Sequence, residues 1–190
     1  NDEDFAHKIA QSTGARYFVQ DGFGVVHRAH ASTDAITHFI PSVAGLLLER
    51  EYQTITAAMK APTRPLVAVM GGAKVSDKIG VIERFVSVAD TILIGGAMAN
   101  TFLAYKGYGV GMSKIESDQM EVLDRLYAAA AKKVGQENVD SFIVLPTDVA
   151  VANEINAQAK RVVRSVADIK FDDIALDVGD ESIERYTAIV

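Results

Sequence analysis

Short apolar runs alternate with helix-like stretches along the second two thirds of the chain. Residues 65–70, 91–94 and 141–145 are such runs, and residues 76–88 and 97–105 have helical spacing. Because a strand buried on both faces has a continuous apolar sequence, this order predicts a parallel sheet with helices on both faces. We therefore expect an α/β protein built on a parallel Rossmann-like sheet.

The same patterns predict the remaining elements. The expected helices are residues 4–12, residues 41–60, a long helix from residue 117 to about residue 134, and the segment after residue 181; the expected strands are residues 15–20, 149–152, 161–166 and 174–178. Pro41 suits a first helical turn. Ser76 and Ser117 suit the N-caps of the helices that follow them.

Paired glycines follow two of the predicted strands, at residues 71–72 and 95–96. Glycine lets the backbone approach a ligand without a Cβ in the way, and a helix start offers free N–H groups. Lys74 and Lys78 are one helical turn apart and can face the same ligand. This pattern is typical of a polyphosphate site, and a glycine turn with two solvated lysines fits the composition equally well.

The ends of these strands are expected to meet. Ligands of open parallel sheets bind beyond the carboxyl ends of the strands. Both glycine pairs, together with residues 176–179, fall at that edge. The sequence therefore predicts that three loops converge on one cleft.

Composition excludes several classes of function. The net charge of −6 argues against nucleic acid as the main partner. The chain has no cysteine, which excludes disulfides and thiolate metal sites and fits a reducing compartment. No apolar stretch approaches the ~20 residues of a membrane span. Residues 1–4 are acidic and unlike a secretory signal. We expect a cytoplasmic protein, and an organellar form stays open because any targeting segment would precede these residues.

Three longer motifs resemble the phosphoglycerate kinase family. They are Asp-Gly-Phe-Gly-Val-Val-His-Arg-Ala-His-Ala-Ser at residues 21–32, Gly-Gly-Ala-Lys-Val-Ser-Asp-Lys-Ile at residues 71–79, and Ile-Gly-Gly-Ala-Met-Ala at residues 94–99. They occur in the family's order, and the likeness runs through the whole chain. The chain covers about half of the family's length and looks like the middle of the enzyme.

The resemblance implies reversible phosphoryl transfer from 1,3-bisphosphoglycerate to ADP, giving 3-phosphoglycerate and ATP in glycolysis. Residues 1–36 would end the substrate-binding N-terminal α/β domain, and residues 37–61 would form an interdomain hinge helix. Residues 62–190 would be the first part of the nucleotide-binding domain. Segments of the family that hold phosphoglycerate, and its later glycine-rich loops, lie outside these residues.

The resemblance also implies roles for individual residues. Lys78 would hold nucleotide phosphate, and Lys74 would approach the transferring group. Arg28 would grip phosphoglycerate beside His27, since arginine binds carboxylate or phosphate with two parallel hydrogen bonds. The positions implied to contact the nucleotide are Gly71, Gly72, Ala73, Lys78, Gly95, Gly96, Ala175 and Leu176.

Two positions in the last of these segments depart from the family pattern. Ala175 stands where the family usually has glycine, and Asp180 stands where it usually has proline. We expect the extra methyl group to narrow the contact with the nucleoside. The change to Asp180 should affect the turn more than the chemistry.

The chain itself is expected to hold no metal. His27 and His30 lack a third ligand nearby in the sequence. By resemblance, Mg²⁺ is carried by the ATP or ADP substrate, and the protein ligand that helps to place it lies outside these residues. The expected partners are phosphoglycerate and adenine nucleotide, not nucleic acid or membrane, and the full-length family enzyme is expected to be a monomer.

Two other functions are compatible with the predicted sheet. An NAD-dependent oxidoreductase would suit it, but the chain lacks the glycine fingerprint and the ribose-binding acid at proper spacing. A non-catalytic interaction module could retain the fold only. If the chain is a kinase segment, it lacks the family's later glycine-rich loops. We therefore expect the 190-residue chain alone to be inactive.

Overall fold

The computed structural model describes all residues from 1 to 190 and divides them into two units, Asn1–Thr63 and Arg64–Val190. The division lies beside Pro62, close to the domain boundary expected from the sequence. The substrate-binding, hinge and nucleotide-binding roles of the segments stay predictions.

The first unit contains a short parallel sheet and two helices. Its elements are α1 (Glu3–Thr13), β1 (Phe18–Gln20), β2 (Ser42–Ala44) and α2 (Leu46–Lys60). Single 3₁₀ turns lie at Phe23–Val25 and Ala35–His38. Asp2 caps α1 by accepting a hydrogen bond of 2.9 Å from the Phe5 N–H, and Gly14 ends it in the left-handed conformation.

The prediction that a helix begins at Pro41 is wrong. Residues 42–44 form β2, which pairs in parallel with β1, so the helix begins only at Leu46. The Asp21 carboxylate, far from this helix in the sequence, caps it by accepting hydrogen bonds from the Leu47 and Leu48 N–H groups at 2.8 and 3.0 Å. No residue of α2 is buried, so its apolar residues are only partly covered or exposed.

The second unit contains two three-stranded sheets. Its strands are β3 (Val67–Met70), β4 (Thr91–Ile94), β5 (Ile143–Val144), β6 (Asp148–Ala152), β7 (Val162–Ser165) and β8 (Ile174–Val178). Its helices are α3 (Ile79–Val88), α4 (Gly96–Tyr105), α5 (Met120–Val134), α6 (Val139–Phe142) and α7 (Asp180–Ile189). Short 3₁₀ turns lie at Ser76–Lys78, Ser117–Gln119, Gln136–Asn138 and Val166–Asp168. Every helix is too short or too polar to cross a lipid bilayer.

The first sheet confirms the predicted parallel architecture. Its strand order is β3-β4-β5, and both pairs are parallel. Helices α3 to α6 cover one face and form the main core with it, which includes Ile82, Ile92, Ile94, Met98, Phe102, Leu123, Leu126 and Ile143. Tyr186 of α7 lies beside Val69 and Leu93 on the opposite face. Helices therefore lie on both faces, as in a Rossmann-like sheet.

The second sheet corrects the expectation of a single parallel sheet. Strand β6 lies at its centre and pairs antiparallel with both β7 and β8. Parallel neighbours need a long crossover, usually through a helix. The connection from β6 to β7 through residues 153–161 contains no α-helix, so β7 returns in the opposite direction. Strand β8 runs in the same direction as β7 and pairs with the other edge of β6.

Three further details differ from the sequence prediction. Strand β3 is not buried on both faces, because Val69 is 68% exposed while its neighbours Ala68 and Met70 are buried. Ser76 and Ser117 open 3₁₀ turns and do not cap α3 and α5. The strand expected at residues 141–145 shortens to β5, because a helical turn precedes it.

Candidate functional site

The ends of β3 and β4 are joined through their glycines. The Gly95 N–H donates to the Met70 carbonyl, and the Met98 N–H donates to the Gly72 carbonyl, both at 2.8 Å. Gly96 has a φ of +62°, and a Cβ there would lie 3.0 Å from the Gly72 nitrogen. Only glycine therefore fits this contact without strain.

The third predicted segment reaches the same edge. A Cβ on Gly95 would lie 3.9 Å from the Val178 Cγ1 atom at the end of β8. The Asn100 side-chain amide, on α4, donates to the Ala175 carbonyl at 3.4 Å. A small cavity opens between these segments, lined in part by Gly96 and Ala175. The predicted convergence of the three segments is confirmed.

The two nucleotide-contact candidates of β8 have different surroundings. Ala175 is buried and belongs to an apolar cluster with Leu103 and Val149. Leu176 is 44% exposed and lines a separate groove beside Arg161. The two side chains thus point to opposite faces of the strand, as alternation requires.

Asp148, which the sequence did not identify as a candidate, holds the segment that follows β8. Its buried carboxylate accepts hydrogen bonds from the Ser182 N–H at 2.8 Å, the Ser182 hydroxyl at 2.6 Å and the Glu181 N–H at 3.1 Å. These donors belong to the first turn of α7, whose N-cap residue Gly179 has no side chain to accept a hydrogen bond from them. A Cβ on Gly179 would collide with the Asp148 carboxylate, so glycine is required there.

The ionisation of Asp148 follows from these contacts. Burial alone would raise the pKa of the carboxyl group. The hydrogen bonds from the Ser182 side chain and from the Ser182 and Glu181 N–H groups outweigh burial and hold the pKa below its usual range. The carboxylate is therefore charged at neutral pH.

The two candidate lysines lie in the segment between β3 and α3. Lys78 is half-buried, and its Nζ atom lies 2.7 Å from the point where a Gly72 Cβ would stand. Lys74 is exposed and precedes the 3₁₀ turn, while α3 begins only at Ile79. Lys74 therefore lies outside any helix, and the prediction of one helical turn between the two lysines is wrong, although the ammonium group of Lys78 does lie against the glycine pair.

Glu116, which the sequence also did not identify, anchors the segment between β3 and α3. Its carboxylate accepts hydrogen bonds from the Val75 N–H at 2.5 Å, the Ser76 N–H at 3.2 Å and the Ser76 hydroxyl at 2.6 Å. The Ser76 side chain contributes most to a lowered pKa of Glu116, and nearby Lys74 lowers it further. The sequence predicts free N–H groups at this helix start for an anionic ligand. Those of Val75 and Ser76 are instead paired with the Glu116 carboxylate.

The candidate substrate residues His27 and Arg28 lie in the first unit, after the 3₁₀ turn, with exposed side chains. The Arg28 N–H donates to the Val25 carbonyl at 3.0 Å, and the Thr33 hydroxyl donates to the Arg28 carbonyl at 2.5 Å. Backbone contacts within the unit thus hold Arg28 and leave its guanidinium free to bind. No group of three or more histidine or acidic side chains that could hold a metal ion occurs in the chain.

Comparison with known proteins gives one consistent family. The model of the family described as phosphoglycerate kinase matches residues 1–190. The phosphoglycerate kinase of Roseiflexus sp. (strain RS-1) is 44% identical over 190 residues, which are 100% of this chain and 46% of that protein. That of Chloroflexus aurantiacus (strain ATCC 29366 / DSM 635 / J-10-fl) is 47% identical over 171 residues, 90% of this chain and 41% of that protein.

The fold agrees with these sequence matches. The structure of phosphoglycerate kinase from Coxiella burnetii superposes with a TM-score of 0.76 at 34% identity, covering 99% of this chain and 46% of that one. The chain spans about half the length of the relatives it matches.

We predict that Asp148→Ala lowers the free energy of unfolding by about 2–4 kcal/mol at pH 7, because three donors at the start of α7 lose their partner. The lowered pKa means that this contribution is present above the unfolded-state pKa of about 3.9 and is lost as the pH falls through the lower folded-state value. Urea unfolding at pH 7 and at acidic pH measures both effects.

The matched control is Asp172→Ala, since Asp172 is exposed. This variant should stay within about 0.5 kcal/mol of the parent protein. Equal stability losses for the two variants would contradict the role of Asp148 as the cap of α7.

Proposed function

The chain belongs to the phosphoglycerate kinase family, and from this premise we propose that it forms the central part of an enzyme that transfers a phosphoryl group reversibly between 1,3-bisphosphoglycerate and ADP, giving 3-phosphoglycerate and ATP. The main support for the proposal is the contact between the two glycine pairs at the ends of β3 and β4, with the ammonium group of Lys78 beside them. The oxidoreductase and interaction-module alternatives are not favoured, because the matched relatives bear the kinase name.

In this proposal the nucleotide binds at the carboxyl ends of β3, β4 and β8. The exposed backbone of Gly71, Gly72 and Ala73 leaves room for phosphate. The backbone at Gly95 and Gly96 would face the adenosine, together with the β8 residues Ala175 and Leu176. The small cavity between α4 and β8 supports this assignment because Gly96, which has no side chain, and the small residue Ala175 both border it.

The two lysines would act on the phosphate groups. Phosphoryl transfer spreads negative charge over the transferred oxygens, so catalysis consists mainly of positioning and electrostatic stabilisation. Lys78 would hold the nucleotide phosphate from its place over Gly72, and Lys74 would follow the transferring group from its exposed position. Mg²⁺ would enter bound to the nucleotide substrate.

The first unit would supply part of the phosphoglycerate site. Arg28 carries a planar guanidinium that suits a carboxylate or phosphate group, and His27 is its neighbour in the chain. Helix α2 would act as the interdomain hinge. We further propose that the full-length protein is a cytoplasmic monomer that works in glycolysis with these small-molecule substrates.

We predict that Lys78→Ala in the full-length protein weakens ATP binding by on the order of ten-fold or more, because a charge-assisted hydrogen bond contributes roughly 1.5–3 kcal/mol. Isothermal calorimetry measures the dissociation constant. Lys132→Ala removes the same charge from an exposed position of α5 and should leave the affinity unchanged. Equal affinities of the Lys78 variant and the parent protein would remove Lys78 from the site.

A second prediction concerns Arg28. Arg28→Lys should raise the KM for 3-phosphoglycerate more than the KM for ATP, because lysine keeps the charge and loses the two-pronged hydrogen bonding. Steady-state kinetics with each substrate varied in turn gives both constants. Arg16→Lys, at an exposed position of the same unit, serves as the control. A parallel change in both constants for Arg28→Lys would argue against a phosphoglycerate contact.

A third prediction concerns the 190-residue chain by itself. It should show no measurable turnover, bind adenine nucleotide weakly and be poorly soluble. Both substrates must be aligned for reaction, and a misplacement of about 1 Å costs about 100-fold in rate. A coupled assay on a sample of verified mass tests this. Turnover that Lys78→Ala abolishes would show that the chain alone is sufficient.

A further inference from the structure

Glu116 joins the two sides of the candidate site. Its carboxylate binds the Val75 and Ser76 N–H groups and the Ser76 hydroxyl, in the segment that carries the lysines. Its own backbone N–H donates to the Thr101 hydroxyl at 3.2 Å. Thr101 lies on α4, the helix that begins at the second glycine pair, and is only 1% exposed. One residue thus connects the lysine segment to a buried position of α4.

The carboxylate also decides where an anion can bind. The N–H groups of Val75 and Ser76 would otherwise attract phosphate, as at other helix starts. Glu116 occupies both with a negative charge of its own, so a phosphate group is excluded from this position. The Nζ atom of Lys78 stays available as a cationic donor beside the glycine pair.

We infer that Glu116 is a positioning residue for the proposed nucleotide site: it holds residues 71–78 in the conformation that directs nucleotide phosphate to Lys78. The inference rests on the proposed function and deepens it. Glu116 acts through the segment that it anchors and does not contact the nucleotide. Its loss should therefore affect the binding of phosphate groups and leave the binding of the nucleoside part unchanged.

A second carboxylate of the same unit provides a matched control. Asp90 accepts a hydrogen bond of 2.7 Å from the Leu66 N–H and pairs with Arg64 at 2.8 Å, at the opposite end of β3. It resembles Glu116 in binding a backbone N–H of a distant segment. Its removal should therefore disturb the structure in a similar way but leave nucleotide binding unaltered.

The experiment measures the affinities of the full-length protein for adenosine, ADP and ATP by calorimetry. Glu116→Ala should weaken ADP and ATP binding on the order of five- to ten-fold and change adenosine affinity less than about two-fold. Glu116→Gln should stay close to the parent protein, because its amide oxygen can accept the two N–H groups and its NH₂ can donate to the Ser76 hydroxyl. Asp90→Ala should leave all three affinities unchanged.

A double-mutant cycle with Lys78→Ala tests the coupling. If Glu116 places Lys78, the Lys78→Ala change should weaken ATP binding less in the Glu116→Ala background than in the parent protein. Ser76→Ala removes only the hydroxyl contact and repeats the cycle if Glu116→Ala does not fold.

The outcomes separate the inference from the proposed function. Unchanged ATP affinity of Lys78→Ala itself would overturn both. A large effect of Lys78→Ala with strict additivity in the cycle would overturn only the role of Glu116. That role would also be overturned if adenosine affinity falls as much as ATP affinity, if Glu116→Gln is as impaired as Glu116→Ala, or if Asp90→Ala weakens nucleotide binding equally.

Discussion

The candidate site depends on two backbone hydrogen bonds between the ends of β3 and β4. The Gly95 N–H meets the Met70 carbonyl, and the Met98 N–H meets the Gly72 carbonyl. A Cβ on Gly96 would lie 3.0 Å from the Gly72 nitrogen, and both glycines have a positive φ, +132° at Gly72 and +62° at Gly96, which would strain any other residue. The lysine segment and α4 both start from these residues, so their positions are set by this contact.

Carboxylates from distant parts of the chain hold the segments that the glycine contact does not reach. Glu116 binds the lysine segment, and Asp148 binds the start of α7. Each provides acceptors for N–H groups that a helix start leaves unpaired. The same contacts remove those N–H groups as anion sites. The lysine ammonium groups are therefore the cations available to a phosphate at this edge.

The sequence predicted the elements whose signals are local. The alternation from residue 65 to residue 105 identified β3, α3, β4 and α4, because each fills one face of the same core. It did not predict β2, whose assignment depends on pairing with β1, nor the antiparallel direction of β7 and β8. The capping roles of Glu116 and Asp148 could not be predicted, because their partners lie 40 and 34 residues away in the sequence. A single acidic residue gives no local sequence pattern that would indicate such a role.

Ala175 illustrates how a departure from the family pattern can be absorbed. Its N–H donates to the Ser113 hydroxyl at 2.9 Å, and its carbonyl accepts from the Asn100 side chain at 3.4 Å. Two buried polar side chains thus hold the backbone on both sides of the methyl group, which packs with Leu103 and Val149. Polar groups buried in this way must stay paired, since an unpaired one costs about 1–3 kcal/mol. Any influence of the methyl group on a nucleoside would therefore act through packing at the base of the cavity, with the backbone of β8 kept in place.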